Sequence, residues 1–264
     1  MAHALGTVGK GPRVAVALAF ATAASYLAGP ASQPASLPTS RPTRGSTART
    51  ELVLAGWTVR VADRLWADDK PATDRMLALL ADQLAGVAAA VPAPAIAELR
   101  KVPLWVSPEY PGTPPRAEYH PDAGWLRRAG RDPAMAKGVE FTNVRVFERE
   151  ARRMPALALH ELAHAYHDRV LGFDRPDVAA AYAAAVAGGR YDRVERSFGD
   201  PGRPHAVERA YAMTNAREYF AECTEAYFGR NDFYPFDRAD LRRQDPDVAR
   251  LLPAVLAGPP SPPR

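Results

Sequence analysis

The chain contains a single cysteine, Cys223, among its 264 residues. An intramolecular disulfide is therefore excluded, and the fold must rest on a hydrophobic core, which a domain of this size can build. Cys223 itself is expected to be a small buried hydrophobic residue. The apolar fraction of 47% is ordinary for a folded protein, and the length indicates one sizeable domain plus a tail.

Acidic residues are missing from the first 50 positions, which carry five basic ones: Lys10, Arg13, Arg41, Arg44 and Arg49. Taking these five from the 34 basic residues of the whole chain leaves 29 basic and 30 acidic residues in positions 51–264, a net charge of −1. This near-neutral balance gives no electrostatic case for nucleic-acid binding, which needs a concentrated basic surface.

Apolar runs are too short for a confident transmembrane helix, which needs about 20 residues. The run over residues 14–27 follows two basic residues and precedes small residues and proline. This layout predicts an export signal over residues 1–31 with cleavage near Ala31, so we expect a secreted or cell-envelope protein. An uncleaved N-terminal anchor is the alternative. The Pro/Ser/Thr-rich stretch over residues 32–50 predicts a linker.

The remaining residues, 51–264, are predicted to form one α+β domain. A small N-terminal mixed sheet with helices is expected first, followed by a mainly helical C-terminal half that contains the active-site helix. The predicted elements are strands over 52–62, 102–107 and 139–144, a helix over 72–90, an irregular proline-rich loop over 108–121, and helices after residue 155 except at 188–203 and 229–236.

A His-Glu-Leu-Ala-His stretch begins at His160, on a helix predicted over residues 155–171. Helical residues four apart share a face with Cβ atoms roughly 5–6 Å apart. His160 and His164 can therefore bind one Zn²⁺, with Glu161 beside it as the candidate general base. His167 continues the same face and is expected either to have a structural role or to support a metal ligand without binding the ion.

Catalytic zinc usually takes three protein ligands, so a third must come from elsewhere in the chain. No glycine and third histidine follow the motif in the way that metzincins require. The best candidate is Glu218, near the start of a helix predicted to run to about residue 228. Glu222 lies one turn further on the same face, as an alternative ligand or as a hydrogen-bond acceptor for a ligating histidine. His205 is a further alternative.

Structural explanations compete with this interpretation of the second helix. Asn215 and Glu218 match a capping box, in which the Glu218 side chain only reaches back to the Asn215 N–H. Glu222 and Glu225 could form a solvated stripe. Helical spacing alone leaves the third ligand open between these alternatives.

The HExxH helix and the Glu-Tyr-Phe-Ala-Glu sequence over residues 218–222 resemble the gluzincin metallopeptidases, most closely the catalytic domain of anthrax lethal factor and related bacterial proteins. The resemblance implies a zincin-like domain with Glu218 as the third zinc ligand and Glu161 as the general base. It also implies a catalytic role for Tyr211, which otherwise would be a packing residue before the helix. It covers the motif and residues 211–222, and only loosely the rest of the domain.

We therefore expect a zinc-dependent metallopeptidase that uses a zinc-activated water and acts on a peptide or protein substrate. The strand over residues 139–144 is a candidate edge strand for pairing with an extended substrate. Two alternatives remain: a non-catalytic binding module on a zincin scaffold, and a zinc amidase acting on a cell-wall amide. No membrane span is expected beyond the N-terminal anchor alternative, and the sequence leaves the oligomeric state open.

Overall fold

The computed structural model describes residues 48–258. The predicted export signal lies outside the described residues, as does the predicted linker up to residue 47. The first strand begins at Arg49, so the last two residues of the stretch predicted as linker belong to the sheet. None of the helices between residues 48 and 258 is both long enough and apolar enough to cross a membrane.

A five-stranded mixed sheet organises the N-terminal half. In chain order its strands are β1 (Arg49–Leu54), β2 (Trp57–Ala62), β3 (Leu104–Val106), β4 (Ala117–Tyr119) and β5 (Val139–Phe141). They lie side by side in the order β1-β2-β3-β5-β4. The two outer pairs, β1 with β2 and β4 with β5, are antiparallel, whereas β3 pairs in parallel with both β2 and β5.

The single strand predicted over residues 52–62 is in fact a hairpin. Ala55 and Gly56 form its turn, and both have a positive φ, of 47° and 92°. Glycine adopts such a φ without steric cost, which makes this turn accessible. Apolar residues lie on both sides of the turn, so the apolar pattern predicted one continuous strand where the structure has two.

Strand β4 forms one edge of the sheet, inside the stretch that the sequence predicted as an irregular loop. Its three residues have no clear apolar alternation, and the strand forms because Ala117 pairs opposite Phe141 and Tyr119 opposite Val139. Strand β5 is flanked by β3 and β4. The expectation that residues 139–144 form an edge strand is therefore wrong, and β4 takes that place.

Four helices accompany the sheet: α1 (Arg64–Ala90), α2 (Ala93–Leu99), α3 (Ala123–Arg128) and α4 (Phe147–Arg153). Helix α1 begins earlier than the predicted residue 72 and has non-helical backbone at Asp69, shortly before Pro71. Proline disrupts the helical hydrogen bonds of the preceding turn, which accounts for the irregularity. The predicted apolar face of α1 is buried: Met76, Leu77, Leu80, Leu84 and Val87.

The C-terminal half is mainly helical, as predicted. Its elements are α5 (Leu157–Tyr166), α6 (Pro176–Ala187), the antiparallel hairpin β6 (Val194–Arg196) and β7 (Ala206–Glu208), α7 (Ala216–Phe228), α8 (Arg238–Gln244) and α9 (Pro246–Leu256). The hairpin was not predicted. Helix α5 continues as a π-helical stretch to Leu171 and ends at Gly172, whose φ is 81°. The α+β class is confirmed, and α5 packs against both α7 and β4.

Candidate metal centre and cleft

Helix α5 places His160 and His164 one turn apart on one face. All of its residues are buried, because it passes between the sheet and α7. The two imidazole rings have their centroids 4.8 Å apart, and their Nε2 atoms lie 3.1 Å from each other. The i, i+4 spacing of the two histidines therefore brings their Nε2 atoms close enough to bind one ion.

Helix α7 brings the Glu218 carboxylate to the same point. Glu218 Oε2 lies 3.2 Å from His160 Nε2 and 3.1 Å from His164 Nε2. The helix is capped by the Asn215 side chain, which accepts hydrogen bonds from the N–H groups of Arg217 and Glu218. Asn215 therefore caps the helix as expected, while the Glu218 carboxylate is directed towards the two histidines.

The electrostatics of these groups fit a cation. Burial alone would lower the pKa of His160, but the hydrogen bonds that the ring donates to the Glu218 and Glu225 carboxylates outweigh it and hold that pKa well above its ordinary value. Burial would raise the pKa of Glu218, yet the two histidines bring it well below its usual range. Surroundings that favour positive charge between these atoms also favour a metal ion, and two imidazoles with one carboxylate suit Zn²⁺. His160, His164 and Glu218 form a cluster that could hold a metal ion.

A second carboxylate of α7 contacts the other nitrogen of His160. Glu225 Oε1 lies 2.6 Å from His160 Nδ1, whereas Glu222 Oε1 is 3.8 Å away and the other Glu222 oxygen accepts from the Asn231 amide. The expected partner of the ligating histidine, Glu222, is thus replaced by Glu225. His160, Glu222 and Glu225 form a second cluster, in which one nitrogen or carboxylate oxygen from each residue lies within 4.8 Å of the others.

The idea that Glu222 and Glu225 form a solvated stripe is wrong, because both are buried. Positions 218, 222 and 225 follow the i, i+4, i+7 spacing of one helix face, and seven residues bring the chain back to within about 20° of the starting direction. This spacing was a signal that could have identified Glu225. Burial raises the pKa of both carboxyls.

The Glu161 side chain extends from the motif helix α5 to the edge strand β4. Its Oε2 accepts a 2.8 Å hydrogen bond from the backbone N–H of Tyr119 on β4. The Tyr119 hydroxyl in turn donates to Asp168, at 2.7 Å, just beyond α5. The edge strand is therefore attached at two points to the helix that carries the candidate base.

Tyr211 lies beside the candidate centre, in a 3-10 turn over Tyr211–Thr214. Its ring centroid lies 6.5 Å from that of His160, and 44% of the residue remains exposed. Burial, reinforced by the negative charge of Glu218, raises the pKa of Tyr211 to about 12. The phenol lines the cleft, is half exposed, and remains a protonated hydrogen-bond donor at neutral pH.

These groups line a cleft of about 550 Å³. The cleft is lined by β4 with its flanking residues, by α5, and by residues from the end of β7 through Tyr211 to the first turns of α7. The cleft exposes a strand edge, a carboxylate and a phenol around one candidate metal centre. This arrangement can bind an extended chain and exchange protons with it.

Three other residues considered from the sequence lie outside the centre. His205 is exposed and pairs with Glu195, so it is not a ligand of this cluster. His167 is fully buried with its ring against Phe173 and Phe220, which agrees with the expected structural role. Cys223 is buried beside the Tyr191 hydroxyl, also as expected.

Comparisons of this chain with protein-family models, with curated proteins and with solved structures find no match.

Proposed function

We propose that this protein is a zinc-dependent metallopeptidase with a zincin-like domain of the gluzincin type. The observation that carries the proposal is the convergence of His160 Nε2, His164 Nε2 and Glu218 Oε2 beside the Glu161 carboxylate. Two imidazoles and one carboxylate from two helices form the donor set of many catalytic zinc sites, which keep a position free for water.

The proposed chemistry assigns a separate role to each group in the cleft. Zn²⁺ held by the three ligands would supply a water of lowered pKa and polarise the substrate carbonyl. Glu161 takes a proton from the attacking water and delivers it to the leaving amine. The Tyr119 N–H occupies one oxygen of Glu161, which orients the carboxylate and leaves the other oxygen for the water. The Tyr211 hydroxyl donates a hydrogen bond to the carbonyl oxygen as that oxygen gains negative charge.

The outer edge of β4 is the proposed binding surface for an extended peptide. In an antiparallel pair, every second residue turns its N–H and C=O away from the neighbouring strand. The Tyr119 N–H faces the cleft but is already bonded to Glu161. Ala117 shares this orientation by the two-residue repeat, so its N–H and C=O are the edge groups left to pair with a peptide. Main-chain hydrogen bonds at such an edge bind a peptide largely independently of its sequence.

The N-terminal sequence pattern also supports a proposal about the cellular compartment in which the protein acts. A basic segment followed by a short apolar run and small residues favours export, so we place the activity outside the cytoplasm or in the cell envelope. The substrate then comes from that compartment.

A glutamate-to-glutamine substitution tests the proposal. Glu161→Gln should retain one zinc per chain by elemental analysis and lower hydrolysis of a peptide library by about 10²–10⁴-fold, because it removes the proton acceptor but none of the ligands. Glu195→Gln, an exposed change outside the cleft, should leave both values unchanged. Wild-type turnover retained by Glu161→Gln would reject the role of this residue. Cleavage of cell-wall fragments but of no peptide would favour the amidase alternative.

A further inference from the structure

Arg217 differs from the other arginines that line the cleft. Each of the other three lies within ion-pair distance of a carboxylate: Arg116 of Glu118, Arg196 of Glu208 and Asp232, and Arg209 of Asp192. Within residues 48–258, no carboxylate lies within ion-pair distance of the Arg217 guanidinium. The positive charge of Arg217 is therefore available in the cleft wall, immediately before the candidate ligand Glu218.

A series of ring contacts supports the Arg217 guanidinium. The Arg217 guanidinium carbon lies 4.0 Å from the centroid of the Phe173 ring. Phe173 packs edge-on against His167, whose ring in turn contacts Phe220 in the core. A guanidinium seated on an aromatic face gains cation–π stabilisation and loses less conformational freedom when it binds a ligand. Arg217 is thus oriented before any substrate arrives.

Within residues 48–258, none of the acidic residues that line the cleft forms an ion pair with Arg217. Glu118 pairs with Arg131 and Glu208 with Arg196, while Glu218 faces the two histidines. Arg217, Phe173 and Thr214 all line the cleft, and Thr214 adds an exposed hydroxyl. This part of the wall offers a planar cation with two or more donors, the geometry that binds a carboxylate in bidentate fashion.

We propose that Arg217, seated on Phe173, forms a subsite for a carboxylate group of the peptide substrate. The inference rests on the proposed peptidase function and adds a substrate class to it. The carboxylate comes from a Glu or Asp side chain at one position of the bound segment or from the peptide C-terminus. Both sources present the same chemistry to the guanidinium, and the test separates them.

Equilibrium binding to the zinc-loaded Glu161→Gln protein tests the subsite without requiring turnover. The probes are fluorescent alanine-rich peptides with an amidated C-terminus, in which one Glu or one Gln is moved through every position; a second Gln set has a free C-terminus. Glu at one position, or the free C-terminus, should tighten binding about five-fold, as expected for a charge pair of about 1 kcal/mol. Raising the salt concentration should reduce this preference.

Variants in the same background identify the residue responsible. Arg217→Gln should abolish the preference, and Arg217→Lys should retain part of it, because the charge remains while the planar fork is lost. Arg242→Gln is the matched control: it removes the same charge from an exposed position outside the cleft and should preserve the preference. Unchanged zinc content and melting temperature exclude misfolding as the cause.

Each outcome bears on one of the two proposals. Equal binding of the Glu, Gln and free C-terminal sets, a preference that survives Arg217→Gln, or no binding of any peptide would overturn the subsite. A carboxylate preference that depends on Arg217, in a protein whose wild type hydrolyses no peptide, would support the subsite and overturn the peptidase proposal.

Discussion

Glu225 accepts a 2.6 Å hydrogen bond from the Nδ1–H of His160, on the side of the ring opposite to Glu218. Helix α7 thus contacts both nitrogens of one histidine through two carboxylates that lie on one helix face. A carboxylate that takes the Nδ1 proton fixes the tautomer, so that Nε2 presents its lone pair to a metal, and it raises the basicity of that nitrogen.

Glu225→Gln should weaken zinc binding about 10–100-fold, because the neutral amide no longer stabilises the tautomer that binds metal. Competition with a chromophoric chelator measures the affinity. Glu222→Gln is the matched control on the same helix, and it should have the smaller effect, since Glu222 Oε1 lies 3.8 Å from Nδ1. A larger loss in Glu222→Gln than in Glu225→Gln would contradict this assignment.

Tyr211→Phe should lower kcat about 10²-fold or more and leave zinc affinity unchanged. The phenol faces the cleft and is placed to stabilise charge that develops only during the reaction, so its removal should affect turnover more than ground-state binding. Steady-state kinetics with one cleaved peptide and a zinc titration provide the two measurements. Unaltered kcat in Tyr211→Phe would leave this residue with a packing role only.

Tyr119→Phe should lower the free energy of unfolding by about 1–2 kcal/mol, because it removes the hydroxyl that donates to Asp168 while leaving the backbone bond to Glu161 in place. Denaturant titration of the metal-free protein measures the change. Tyr234→Phe, which removes the hydroxyl of a half-buried residue in a loop outside the cleft, should change stability by less than about 0.5 kcal/mol. Equal effects of the two substitutions would show that the strand attachment contributes nothing.

His167 should make the metal-free protein sensitive to acid. Burial, aided by the positive charges of His164 and Arg217, lowers the pKa of His167 from 6.5 to about 4. The unfolded chain therefore binds a proton that the folded protein does not, so stability is fully present above pH 6.5 and is lost as the pH falls towards 4. The loss attributable to His167 should be no more than about 3 kcal/mol.

Comparison of unfolding curves at several pH values isolates this contribution. His167→Leu should flatten the dependence between pH 6.5 and 4, whereas His205→Gln, at an exposed position, should keep the wild-type slope. A wild-type slope retained by His167→Leu would assign the acid sensitivity to other groups.

The sequence predicted the elements whose signal is local. The i, i+4 histidines, the Asn215 cap and the apolar face of α1 each depend on neighbours within a few turns of helix, and the structure has them as expected. Strand β4 was missed because three residues between prolines carry no periodicity, and only pairing with β5 makes them a strand. The sequence left open whether Glu225 was solvated, because spacing identifies a helix face but not the surface that it packs against.

Zinc binding by the wild type and by Glu218→Ala, measured side by side by elemental analysis and chelator competition, tests the central claim most directly. We predict one zinc per wild-type chain and a severe loss of affinity in Glu218→Ala, because two histidines alone leave the site one ligand short. Absence of zinc from the wild type, or full affinity retained in Glu218→Ala, would contradict the account.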